Sequence, residues 1–369
     1  MNKQLTNAID TPGMLLDIDK LENNIKDIVD FSNEYNVAYR PHIKTHKSIN
    51  IAKKQIEAGA IGITVATVGE AEIMSEGGIK DILIAFPVAI KEKLDRIEKL
   101  LNQSKITVAV DSISQANILN DYFKHHDHIL NVWIKVNSGL NRAGVEPNHE
   151  VKDLANVIKD SFYLSLEGIF THAGHSYAAQ SETEIKQIAQ KEAEVVLESV
   201  KICESIGIDI PNRSIGSTPT FKIAGKIAGI TEIRPGNAVF FDMIQVGLEV
   251  ASIENCALTV ISSVGSIQNN RIVIDAGSKT LNLDKGAHGK ESVIGHGYIK
   301  EYPHLIIDRL SEEHGIITTD TNNNLQITEK LTIIPNHACT VVNLFDNYLI
   351  HRKGELIDVW KIDARGRVK

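Results

Sequence analysis

The chain has 369 residues and a formal net charge of −8, with 23% charged and 43% hydrophobic residues. That is an ordinary globular balance, long enough for one large domain with a smaller one, or for two comparable ones. A mildly acidic chain with no basic block argues against nucleic acid or an anionic membrane as the main partner, and no apolar run is long enough to span a bilayer.

The first stretch, MNKQLTNAIDTPG, has no apolar h-region, so no signal peptide is expected. MLLDIDKLENNIKDIVDFSNEYN then reads as a short strand and a helix, with Leu21, Ile25, Ile28, Val29 and Phe31 near helical spacing. VAYRPHIK reads as a strand and SINIAKKQIEAGA as a helix. The alternation continues through GITVAT and GEAEIMSEGG, DILIAFP and KEKLDRIEKLLNQS, ITVAVDS and ISQANILNDYFKHH, and LNVWIKVNSG. It closes with LSLEGIFTHAG, a long helical segment from Ser181 to Gly207, then NRSIGSTPT and EIRPGNAVFFD.

Strand–helix alternation predicts a parallel sheet, and about eight such units fit a (β/α)8 TIM-type barrel, class α/β. In such barrels the chemistry sits at the C-terminal ends of the strands. The polar clusters RPHIKTHK, ATVGEAE, KVNSGLNR, THAGHSY, GSTPT and RPGN all fall there. Beyond residue 247 the pattern changes to short β runs, CALTVISSVGSI, NRIVIDAGSKTL, GIITTD, NLQITEK, LTIIPNHACTVVNL and NYLIHRKGELIDVW. The expected organisation is a barrel over residues 12–246 and an all-β domain formed by 1–11 and 247–369. Three scattered cysteines, Cys203, Cys256 and Cys339, make no disulfide framework, which suits a reducing cytoplasm; any of them remains able to bind metal or react.

RPHIKTHK carries nitrogen chemistry without an acid: two histidines and two lysines, with Pro41 breaking any helix. A lysine at a partly buried strand end is nucleophilic near neutrality when its pKa is depressed, whereas most lysines are simply solvated. In PNHAC, His337 and Cys339 are two residues apart, and on a strand that spacing puts both side chains on one face, within reach of one metal ion. Imidazole with thiolate favours Zn²⁺, and two protein ligands leave an open Lewis-acid site; the alternative is a buried cysteine beside a histidine.

Taken together and in order, RPHIKTHK, THAGHSY, GSTPT, EIRPGN and PNHACTVVN resemble the fold-type III pyridoxal-phosphate (PLP) enzymes, in the D-threonine aldolase/D-serine dehydratase branch related to alanine racemase. The resemblance runs from Thr11 to the closing DARGR. It implies a PLP-binding barrel, a β domain, a small D-amino acid substrate and a homodimer. It also implies that Lys44 is the lysine that holds the cofactor aldehyde and then shuttles the Cα proton; Lys47 reads as structural or solvated. Gly216, Ser217 and Thr218 with Gly236 and Asn237 resemble the phosphate loops, although short Gly/Ser turns are common. Arg142 matches an arginine that reaches the phenolic oxygen, or is a salt-bridged barrel arginine. His172 resembles the histidine beside the cofactor ring and Tyr177 a pyridine-side contact. His175 lines the substrate pocket or packs in the core, and His42 contacts cofactor or is structural. Arg234 stands where the racemases have an arginine facing the pyridine nitrogen.

PNHAC matches the family's metal motif, with Zn²⁺ favoured and Mn²⁺ or Mg²⁺ the alternatives. Family aldolases tend to have Asp at the second ligand and dehydratases Cys, so Cys339 points to dehydration. The expected activity is β-elimination from a D-3-hydroxy amino acid, giving a 2-oxo acid and ammonia. The alternatives are Cα–Cβ cleavage to glycine and an aldehyde, with His42, His172 or His175 as base; a racemase, a non-catalytic PLP-binding protein and a metal-only barrel hydrolase follow.

Overall fold

The computed structural model describes residues 3–286, 293–319 and 324–369; Asp320, at the end of the GIITTD run, and residues 1–2 and 287–292 of the expected β segments lie outside them. The chain divides into two compact units, residues 27–44, 49–236 and 366–369 in one and 1–26, 45–48 and 237–365 in the other.

The first predicted strand, β1 (Gly13–Asp17), pairs antiparallel with residues 258–261 and parallel with residues 349–351, all in the second unit. It therefore serves the β sheet, although the sequence grammar grouped it with the barrel. Its residues are apolar on both faces and almost wholly buried, a pattern that suits the centre of any sheet.

The barrel unit is an eight-stranded parallel sheet. Its strands are β2 (Ala38–Tyr39), β3 (Ile63–Val65), β4 (Asp81–Ile84), β5 (Lys105–Val110), β6 (Leu130–Lys135), β7 (Leu164–Phe170), β8 (Asn212–Ile215) and β9 (Glu232–Ile233). Their order is β2-β9-β8-β7-β6-β5-β4-β3, and a parallel bridge between His42 and Thr64 joins the two ends. Helices between strands begin at signals visible in the sequence. Thr67, Ser112 and Ser181 cap their helices by accepting from the backbone N–H of Glu70, Gln115 and Glu184. The Glu70, Gln115 and Glu184 side chains in turn accept from the N–H groups of Ala66, Asp111 and Gln180, so amide donors on both sides of each cap are satisfied.

Inside the barrel Leu83, Ala109, Trp133 and Phe170 form one apolar cluster. Gly168 admits it, since a Cβ there would stand 2.7 Å from the Trp133 ring. A buried polar chain runs alongside. Arg40 pairs with Asp81 and, at 2.8 Å, with Glu232; Ser214 links Glu232 to Arg234, and Arg234 donates to the Thr171 carbonyl. Each buried charge thus meets a partner, the condition for tolerating it.

The other unit is built on a nine-stranded sheet. It adds β10 (Leu258–Gln268), β11 (Arg271–Ile274), β12 (Tyr298–Ile299), β13 (Ile307–Leu310), β14 (Gly315–Thr318), β15 (Lys330–Ile334), β16 (Asn347–Arg352) and β17 (Glu355–Lys361) to β1. The main path is β13-β14-β11-β10-β1-β16-β17, with β15 paired to β10 and β12. Among the described residues no helix is long and apolar enough to cross a membrane.

Candidate active site

In the barrel unit, β2 ends at Tyr39 and the chain turns through Pro41 into a 3-10 turn, Ile43–Thr45, that presents Lys44. Proline blocks continuation of a helix backward, and the tight turn lifts the lysine off the strand end. The Lys44 N–H donates to His42 Nδ1 at 3.3 Å, so neutral His42 carries its proton on Nε2. Burial, then the Lys44 charge, push His42 well below the ordinary imidazole range. His172 is shifted the same way, again by burial first and Lys44 second. Its Nδ1 lies 2.6 Å from the Gly216 carbonyl, which can only accept; the proton is therefore on Nδ1, and Nε2 is a bare acceptor. The Lys44 charge thus acts on two neutral histidines with opposite tautomers.

Lys135, at the C-terminal end of β6, belongs to the same group. Its ammonium is buried, donates to the Ala85 carbonyl at 3.1 Å, and is lowered to about 8 by burial, assisted by the Arg142 charge. Arg142 opens to solvent and shares a small cavity with Lys135, Ser138 and His172. Arg234, committed to Ser214 and Thr171, is lowered to about 10 by its burial.

The GSTPT turn carries its own network. The Gly216 N–H donates to Glu192 at 3.0 Å and the Thr218 N–H to the Tyr177 hydroxyl at 3.3 Å. Ser217 Oγ contacts Ser176 Oγ at 2.9 Å and Thr220 Oγ1 at 2.7 Å. Tyr177 is therefore joined to the expected phosphate loop. His175 stands beside Gly139, and its buried Nδ1 has no hydrogen-bond partner among the described residues. Gly236 follows Pro235, whose carbonyl accepts from the His42 N–H at 3.3 Å. Lys47 is buried, in line with a structural role, and its carbonyl accepts from the Ala364 N–H.

In the β unit the His-x-Cys pair does not lie on a strand. His337 is the extended N-cap of a short helix, Ala338–Val342, and Cys339 sits in its first turn. The two side chains still meet in a hydrogen bond, because the chain bends at the cap; strand alternation was the wrong geometric reason. Behind His337, Asp284 Oδ2 takes Nδ1 at 2.9 Å, which leaves Nε2 for the Cys339 side. Burial disfavours a charged His337, but Cys339 and Asp284 outweigh it and raise the imidazole well above its ordinary range. Thr45 Oγ1 lies 3.2 Å from Cys339 Sγ. Asp242 is fully buried and accepts from Asn237 Nδ2 at 2.6 Å and from the Ala338 N–H at 2.9 Å, tying the helix start in place. The Asn237 side chain faces Asp242, with Cys339 Sγ 4.0 Å from its amide, so what Asn237 has left for the expected phosphate loop is its backbone.

Four residues with a part in these arrangements escaped the sequence reading. Lys135 had a signal, a lysine closing the apolar strand NVWIK. Glu192 had a weaker one, a carboxylate within the apolar stripe of Ile185, Ala189, Val196 and Val200. Asp242 is an N-cap residue by type, accepting from the Gln245 N–H, while nothing local marks Asp284.

The donor sets suit both groups that the sequence implied: an amine whose charge acts on two neutral histidines for an aldehyde, and an imidazole oriented by a carboxylate beside a thiol for a soft or borderline metal. A parallel barrel with such a lysine, joined to a β unit, is the alanine-racemase-like class. The chain belongs to this family: residues 16–243 match the alanine racemase N-terminal domain and residues 257–351 a putative serine dehydratase domain. It is similar to the D-serine dehydratase of Dictyostelium discoideum, 31% identical with 98% of each chain covered. It is also similar to D-threo-3-hydroxyaspartate dehydratase of Delftia sp. (strain HT23), 28% identical over 96% of this chain and 97% of the relative. The structure of D-threonine aldolase from Filomicrobium marinum superposes with a TM-score of 0.91 at 28% identity, covering 98% of this chain and 96% of the other. Solved forms of D-threo-3-hydroxyaspartate dehydratase include a histidine-to-alanine and a cysteine-to-alanine variant, the two positions separated by two residues, the latter in a metal-free form. The chain is a PLP-dependent lyase of the group that acts on D-3-hydroxy amino acids.

Proposed function

We propose that the protein is a metal-assisted dehydratase that converts a D-3-hydroxy amino acid, D-serine among them, into a 2-oxo acid and ammonia. The observation that carries the choice is the His337–Cys339 pair with Asp284 behind it, a thiol–imidazole donor set suited to Zn²⁺. The cofactor-binding domain is assigned to the barrel that ends near residue 246, and the β domain to residues 247–369 together with the N-terminal segment through β1, which pairs in the β sheet; the family matches end at 243 and resume at 257, on either side of that boundary. A homodimer working in the cytoplasm completes the reading.

Lys44 would hold PLP through its ε-amine, with Arg142, His172, Tyr177, the Gly216–Thr218 turn, Gly236 and Asn237 assigned around it. Bound there, PLP supplies an electron sink at the substrate Cα. His337 and Cys339 would hold the divalent metal, a Lewis acid for the β-hydroxyl. Lys44 Nζ takes the Cα proton, and neutral His42 and His172 leave it less crowded by positive charge. His172 Nε2, a bare acceptor, orients whatever donor lies over the cofactor ring. Loss of water and later hydrolysis balance, so the substrate yields one oxo acid and one ammonia.

Product analysis with D-threonine, first with zinc and then with a chelator, tests this. The proposal requires 2-oxobutyrate and ammonia, both lost on chelation. Glycine and acetaldehyde would instead establish the aldolase reaction, which the resemblance to a D-threonine aldolase keeps as the second reading.

A further inference from the structure

Glu192 lies on the long helix Glu182–Glu204, fully buried in a stripe otherwise made of Ile185, Ala189, Ala193 and Val196. A carboxylate there is costly unless its oxygens are satisfied. One oxygen accepts the Gly216 N–H at 3.0 Å and the Ala173 N–H at 3.3 Å; the other accepts the Thr220 hydroxyl. Those donors come from two different loops. Ala173 follows His172, and Gly216 opens the GSTPT turn. The Gly216 peptide is held from both sides, its N–H by Glu192 and its carbonyl by His172 Nδ1 at 2.6 Å. Thr220 passes the constraint on to Ser217 at 2.7 Å, and Ser217 to Ser176 at 2.9 Å.

We infer that Glu192 is a positioning residue of the cofactor site: it clamps the His172 loop to the Gly216–Thr218 turn and so sets the imidazole and the phosphate-binding backbone in one arrangement before PLP arrives. The inference rests on the proposed placement of PLP in the barrel. Glu192 acts through Gly216 and Thr220 rather than by touching the cofactor. Its oxygens also consume the Gly216 and Ala173 amides, so phosphate recognition falls to the other groups of the turn. Glutamine can keep the arrangement, since its carbonyl accepts both amides and its NH₂ donates to the Thr220 oxygen; alanine orphans two buried N–H groups and leaves the Thr220 hydroxyl held by Ser217 alone.

The test is PLP uptake by apo protein, followed by visible absorbance and by the ³¹P resonance of the bound phosphate, for wild type, Glu192→Gln, Glu192→Ala and Thr220→Val. Glu192→Gln is expected to stay within about threefold of the wild-type Kd, while Glu192→Ala weakens PLP about tenfold or more and shifts or broadens the ³¹P line. If Glu192→Ala does not fold, Thr220→Val carries the test, with an expected weakening of about fivefold. A lower melting temperature with unchanged Kd and ³¹P line would reduce Glu192 to a structural residue and overturn the inference. Wild-type protein that takes up no PLP would overturn the cofactor placement first, and the inference with it.

Discussion

Asp284 offers the sharpest perturbation of the metal reading. Its Oδ2 receives His337 Nδ1 at 2.9 Å, and the two side chains are 37% and 24% exposed. A hydrogen bond to a charged group contributes about 1.5–3 kcal/mol when sheltered, and this much exposure argues for the lower end. Removing it frees the imidazole to rotate and makes its Nε2 a poorer donor. Asp284→Ala should therefore weaken zinc binding by about tenfold, near the lower end of what lost orienting carboxylates cost. Asp284→Asn, which retains an acceptor oxygen but not the charge, should fall between. The assay is competition for zinc against a chromophoric chelator, with PLP uptake as the control. Unchanged zinc affinity in Asp284→Ala would refute the orienting role; loss of PLP as well would show general damage rather than a metal effect.

Other outcomes follow from the same residues. Lys44→Ala should lose both the bound-cofactor absorbance and turnover, and normal turnover in that variant would remove Lys44 from the chemistry. His337→Ala should abolish dehydration yet leave PLP bound, so full activity in the metal-free variant contradicts the Lewis-acid assignment. Cys339→Asp should shift metal preference from zinc toward manganese or magnesium, read by activity after reconstitution with each ion. Burial lowers Lys135 to about 8 from an ordinary 10.5, so between those values the unfolded chain holds the extra proton and stability rises with pH. Lys135→Met should then be more stable than wild type below pH 8 by up to about 3 kcal/mol, less about 1 kcal/mol for the Ala85 carbonyl left without its donor. That advantage should shrink through the window, and a pH-independent difference in urea unfolding would contradict it.

Much of this molecule was open to reading from its residues alone. Strand and helix alternation and the placing of RPHIK, THAGHSY and GSTPT at strand ends are local features. Local spacing records which face of an element is apolar and where its backbone must be capped. The motif around Lys44 drew its meaning from company: RPHIKTHK, THAGHSY, GSTPT, EIRPGN and PNHAC are distinctive together and in order. What local spacing does not record is which partner covers an apolar face. β1 looked like a barrel strand and entered the β sheet between β10 and β16, because a strand apolar on both faces from Gly13 to Leu16 fits the middle of either. His337 and Cys339 were paired correctly as neighbours but for a strand that is absent; a helix N-cap brings them together. The partner of the Asn237 side chain, Asp242, lies five residues on, and only the folded turn shows the pairing. Glu192 and Asp284 act on residues 24 and 53 positions away, through contacts that only chain closure creates. Periodicity determined the elements, and the resemblance carried by the motifs together indicated the class of reaction; the assignment of β1 to its sheet, the tautomer of His172 and the carboxylates behind the site were decided by non-local pairing, which sequence spacing does not encode.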